Sequence, residues 1–143
     1  MVLPLLRNTV LLSVLFLGSA CNAQEIKICT QAEAIQAETE ASKLGNWQDV
    51  YSSFKRFVHC DDGAIGEGYS AAIGRMLAYK WVELTTLSEL ATKDKDFESF
   101  VLKHIDDTVP IQEIKMIIVN AQTRCPDDDQ ELCAKIHKAA APE

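Results

Sequence analysis

Five cysteines, Cys21, Cys29, Cys60, Cys125 and Cys133, set the frame for everything else in this chain. The first lies in a leader. Residues 1–23 carry one positive charge at Arg7, an apolar run from Val10 to Leu17 broken only by Ser13, and then Gly18, Ser19, Ala20, Cys21, Asn22 and Ala23. Positive, then apolar, then small is the order of a secretory signal peptide, and the run is too short to span a bilayer. Cleavage is expected after Ala20 or Ala23. Cys21 either leaves with the leader or carries a lipid, so four cysteines remain to pair in an oxidising compartment. Four allow three pairings. The helix pattern below favours Cys29–Cys60 and Cys125–Cys133. Cys29 precedes one helix and Cys60 ends the next, and an antiparallel hairpin brings those two points within disulfide reach. Cys125 ends a helix and Cys133 lies in the following one. No C-x-x-C spacing occurs, which argues against a zinc site and against a redox-active pair.

Without the leader, residues 24–143 keep 13 of the 14 basic and all 21 acidic side chains, a net charge of −8. A chain of 120 residues buries one real core, so a single domain is expected. Hydrophobic residues at 48% and charged residues at 24% are ordinary for a globular domain and exclude a disordered tail. An acidic balance excludes a binder of the nucleic-acid backbone, which needs a Lys/Arg surplus. Charges interrupt every later apolar run, so no membrane-spanning segment is expected after the leader.

The spacing predicts an all-α fold of six to seven helices. Thr30 and Glu33 form a capping box before a helix over Gln31–Leu44, with Gly45 placed to end it. Asn46 caps the next, from Trp47 to about His59, whose apolar stripe of Trp47, Val50, Tyr51, Phe54, Phe57 and Val58 is the strongest in the chain. Asp61 or Asp62 caps a third helix, running from about Ala64 into Trp81–Leu84. Thr86 with Glu89 opens a short fourth. Asp96 caps a fifth over Phe97–Ile105. Pro110 starts a sixth that ends at Arg124 and places Ile111, Ile114, Ile117, Ile118 and Ala121 inside. Asp127, Asp128 and Asp129 open the last, with Lys135 and Lys138 near its end, charges that suit the helix dipole. Ala139–Glu143 is expected to fray. The β-branched stretch Ile114–Val119 has the strongest strand tendency in the chain.

Short motifs add little chemistry. Gly18-Ser19-Ala20-Cys21 resembles the lipobox of bacterial lipoproteins, with Gly18 where Leu is usual and Leu17 one position early; the resemblance implies a lipid on Cys21. Gly45-Asn46-Trp47-Gln48-Asp49-Val50-Tyr51 resembles the turn and second helix of a tetratricopeptide hairpin. No copy follows at the 34-residue period, so it reads as an ordinary helical hairpin. Two segments end in H-x-D-D, at His59 to Asp62 and at His104 to Asp107. Imidazole and carboxylate together are metal ligands, but both segments also sit where His suits a helix end and Asp a helix start. The stretch Asp62 to Gly68 is glycine-rich and acidic, without the dinucleotide or EF-hand spacing, and its glycines read as caps or close-approach points. The serines lack a nucleophile motif. Trp47, Tyr51 and Phe54 read as core.

No catalytic residue and no cofactor are therefore expected, and the chain reads as a non-enzyme. The foremost expectation is an exported protein of the periplasm or cell envelope that binds a cationic protein partner, as an inhibitor or an immunity-type protein, through surface acids such as Asp61, Asp62, Glu67, Asp106 and Asp107. Two other roles fit the same residues: a structural or assembly lipoprotein held by Cys21, and a metal-dependent envelope enzyme using His59 and His104.

Overall fold

A computed structural model describes residues 27–141; the expected leader, with Cys21, lies outside the described residues. These residues form α1 (Gln31–Ala41), α2 (Trp47–Phe57), α3 (Gly63–Tyr79), α4 (Leu84–Lys93), α5 (Lys95–Lys103), α6 (Ile111–Thr123) and α7 (Gln130–Ala140). Single 3-10 turns lie at Val58–Cys60, Trp81–Glu83 and Asp127–Asp129, and no strand occurs among the described residues. The fold is all-α with seven helices. Ile114–Val119 is helical despite its β-branched content, because its neighbours on α6 bury a helical stripe ending at Asn120 and Ala121. No helix here is long and apolar enough to cross a membrane.

Helix α3 is the axle. It packs against α1 on one side and α6 on the other, while α7 covers α6 and α5 covers α4. Tyr69, Ile73 and Leu77 of α3 are fully buried with Trp47 and Val50 of α2, Leu87 of α4, Phe97 of α5 and Ile117 of α6. Two glycines let neighbours approach α3 closely. A Cβ at Gly68 would stand 2.8 Å from the Cβ of Ala41, and one at Gly74 would stand 2.7 Å from Val109 Cγ1. Both distances are too short for real atoms, so α1 and the α5–α6 connection rest directly on backbone.

Both disulfides form as the hairpin pattern predicts, Cys29–Cys60 with Cα atoms 5.0 Å apart and Cys125–Cys133 with Cα atoms 6.1 Å apart. The Thr30–Glu33 capping box is present, and Asn46 Oδ1 accepts from the Asp49 amide at 2.9 Å. Asp62 accepts from the Gly63 amide at the start of α3.

Helix α1 ends at Ala41 rather than Leu44, α2 at Phe57 and α5 at Lys103, and other boundaries differ further from the sequence pattern. The third helix stops at Tyr79 rather than running into Trp81–Leu84, and the chain breaks at Lys80 (φ −119°, ψ 35°). The cause lies 40 residues downstream. Asn120 Nδ2 of α6 donates to the carbonyls of Leu77 and Ala78, each at 3.0 Å, and the Trp81 indole donates to the Arg124 carbonyl at 2.8 Å. Helix α4 then starts at Leu84, so Thr86 and Glu89 lie inside it and form no cap. Asp94, not Asp96, caps α5, accepting from the amides of Asp96 and Phe97. Helix α7 holds to Ala140, which is buried, so order persists past Ala139.

Candidate functional site

The two H-x-D-D segments meet, but asymmetrically. His104, at the C-terminal end of α5, is buried against the Phe100 ring (centroids 4.5 Å apart) and near Tyr69 (5.7 Å). Its Nε2 lies 3.2 Å from Asp61 Oδ2, from the other segment, and its Nδ1 lies 2.9 Å from the Ser70 hydroxyl of α3. The same hydroxyl lies 2.8 Å from Asp106 Oδ2. Lys103 donates to Asp61 Oδ2 at 2.8 Å, and the Thr108 amide donates to Asp106 Oδ1 at 2.9 Å. A carboxylate only accepts and Ser70 has one hydroxyl proton. Ser70 therefore donates to Asp106 and accepts from Nδ1–H, and Nε2 faces Asp61.

Serine, histidine and aspartate in contact also describe a nucleophilic triad. Here Ser70 has no solvent-exposed surface, and its proton is directed to Asp106 rather than to the imidazole. The cluster ties α3, the Val58–Cys60 turn and the end of α5 together. The carboxyls at its two ends show the strength of the tie. Burial pushes the Asp61 carboxyl up, but its bonds to His104 and Lys103 outweigh that and hold it below the usual range. Asp106 follows the same pattern, with Thr108 and Ser70 as the stabilising donors.

This arrangement corrects two of the expected surface acids. The Asp61 side chain is 6% exposed, turned inward by its pairing with His104, and its Oδ1 lies buried beside Gly66 with no hydrogen-bond partner. Asp106 is half-buried and bonded to Ser70 and Thr108. The other three, Asp62, Glu67 and Asp107, are exposed and pair with no basic side chain among the described residues. Asp62 begins α3, Glu67 lies one turn before Ser70, and Asp107 follows Asp106. Of the five acids, two thus lie inside the frame and three on its outside.

His59 stands apart from this cluster. Its Nε2 is 3.3 Å from Glu33 Oε1, and that carboxyl is also held by Lys27 and by the Thr30 cap, which bring it down to about 2. Glu33, His59 and Cys60 form a group with metal-ligand distances, but the Cys60 sulfur is bonded to Cys29 and donates to no metal. His59 and His104 thus have separate partners. Trp47 and Phe54 are core, and half-buried Tyr51 donates its hydroxyl to Asp94 at 3.1 Å.

Sequence reasoning missed Glu113. This α6 residue faces α3 at Gly74, is 8% exposed, and its Oε2 is buried without a hydrogen-bond partner. Burial pushes its carboxyl up, with Arg75 partly opposing the shift. A raised carboxyl destabilises the fold progressively as pH rises from the unfolded-chain value through the folded one. Glu113→Gln is accordingly expected to gain on the order of 1 kcal/mol at pH 7 and nothing below pH 4. Urea denaturation of both proteins at the two pH values checks this; an equal gain at both would remove the charge as its cause.

Compared with protein-family models, curated proteins and solved structures, the chain matches none of them.

Proposed function

We propose that this is an exported envelope protein that acts by binding a cationic protein, in the manner of an inhibitor or an immunity protein, and that it works by contact rather than turnover. The observation that carries the proposal is the exposed trio Asp62, Glu67 and Asp107, unpaired and mounted on the frame locked by Asp61, His104, Ser70 and Asp106. The surplus of negative charge on the mature chain steers a cationic partner toward carboxylates that have no basic neighbour to displace. Two disulfides suit an oxidising compartment, in keeping with export.

The test starts with a C-terminally tagged chain isolated gently from the envelope of its native host, with the co-purifying protein identified by mass spectrometry. Affinity is then measured for the triple variant Asp62→Lys, Glu67→Lys, Asp107→Lys. Binding is expected to weaken at least tenfold, mostly through slower association, and to become less sensitive to salt. Unchanged affinity, or the absence of any stoichiometric partner, counts against the proposal.

A further inference from the structure

Beside Asp107 lies an apolar groove of about 410 Å³, between the α5–α6 connection, the start of α6 and the last turn of α7. Ile105, Val109, Ile114, Ala139 and Ala140 form its walls, Ile111 stands at its side, and Asp106 and Asp107 lie at its mouth. Ile111 is 62% exposed, although the helical stripe of α6 places it inside. The stripe fails there because Ile111 is the first residue of α6, and the chain entering through Val109 and Pro110 already fills the contact with α3 at Gly74. A large aliphatic side chain is left beside a concave aliphatic surface, with carboxylates on the rim.

Resting on the binding role proposed above, we infer that this groove is the anchor point of that contact. It takes one large apolar side chain of the partner, of leucine, methionine or phenylalanine type, flanked in the partner's sequence by lysine or arginine. Each part has its reason on the surface. Aliphatic walls offer no donor to a polar group, and burying a polar side chain there without a partner is costly. An anchor residue in a desolvated pocket is where a protein contact concentrates its binding energy. Asp107 is exposed and has no basic partner among the described residues, so a cation beside the anchor completes the rim, while an acidic neighbour is repelled. The groove adjoins the outward carboxylates through Asp106, which Ser70 ties to α3 only one turn after Glu67. Asp107 thus belongs both to the groove and to the outward carboxylates.

The experiment uses capped tripeptides as probes: Lys-Phe-Lys, Lys-Ser-Lys and Glu-Phe-Glu. Each is titrated into the 15N-labelled protein while the backbone amide spectrum is followed. Lys-Phe-Lys is expected to move the amides of Asp107, Ile111, Ala139 and Ala140 saturably, with the other two peptides at least fivefold weaker. Ile111→Glu should weaken the Lys-Phe-Lys response at least fivefold while the remaining amides keep their positions, showing that the fold persists. Shifts elsewhere only, an equal response to Glu-Phe-Glu or Lys-Ser-Lys, or no effect of Ile111→Glu each overturns the inference. Movement of the same amides when the protein alone is concentrated assigns the groove to a second copy of this chain, and also overturns it. The co-purified partner separates the two levels. Loss of affinity on charge reversal with full affinity in Ile111→Glu removes the groove and leaves the acidic surface standing; full affinity in both removes the binding role as well.

Discussion

His104→Ala should cost about 3–5 kcal/mol, the range seen when deleting a partner strands a buried charge, here the Asp61 carboxylate. The side chain is 3% exposed and packs edge-on against Phe100, so its removal opens a gap in the aromatic core as well. The larger effect is electrostatic. Asp61, itself 6% exposed, keeps only Lys103, and Ser70 loses the donor that orients its hydroxyl toward Asp106. Urea denaturation at pH 7 measures the loss. Asp61→Asn in the His104→Ala background should recover part of it, because the stranded charge is then gone; additive losses would show that the two residues act independently. The acid limb carries the same signature. Asp61 and Asp106 are both held below their ordinary values. Their contribution is fully present above the unfolded carboxylate value near pH 4 and fades as pH falls through the folded values. The parent protein should therefore lose stability steeply on acidification below about pH 4, and His104→Ala should lose less over the same interval.

The second large effect belongs to the Cys29–Cys60 bond. It closes a loop with a sequence separation of 31, against 8 for Cys125–Cys133. Loop-closure entropy then assigns about 3.7 kcal/mol to the first bond and about 2.5 kcal/mol to the second. Local packing widens the gap. Of the eleven residues of α1 only Ala37 and Ala41 are buried, so the helix presents little more than two methyl groups to the core. Paired alanine replacements at Cys29 and Cys60 should thus be the more damaging set, with α1 becoming sensitive to trypsin at Lys43 before any other helix. Denaturation curves and timed proteolysis of the two double variants decide the order, and equal losses would mean that closure of the longer loop is not what counts.

Much of this fold is legible in local chemistry. The Thr30–Glu33 box, the Asn46 cap and the Trp47–Phe57 stripe each depend on residues within one or two turns, and each appears where the spacing places it. The disulfide pairing follows from the same hairpin. What escapes is settled by distant contact. In the sequence Asp61 and Asp106 look no different from their neighbours Asp62 and Asp107, and only the arrival of His104 and Ser70 from other elements turns the first pair inward. Ile111 matches the α6 stripe and is exposed because the stripe outruns the surface available to cover it. Glu113 occupies a helical position that looks ordinary in the sequence, and its burial comes from the close approach permitted by Gly74. The one feature that hints at it in advance is Gly74 itself, a residue without a side chain on the apolar face of α3.

The break between α3 and α4 has a consequence for the order in which the molecule assembles. Its acceptors are the Leu77 and Ala78 carbonyls and its donor is Asn120, so the signal that ends α3 is held in a segment made later. The Trp81 indole likewise waits for Arg124. Until that segment is made, the stretch through Leu84 has no Asn120 to claim those carbonyls, and its own periodicity favours one continuous helix there. The corner at Lys80 therefore depends on contacts from α6, and a later segment of the chain fixes where an earlier helix ends.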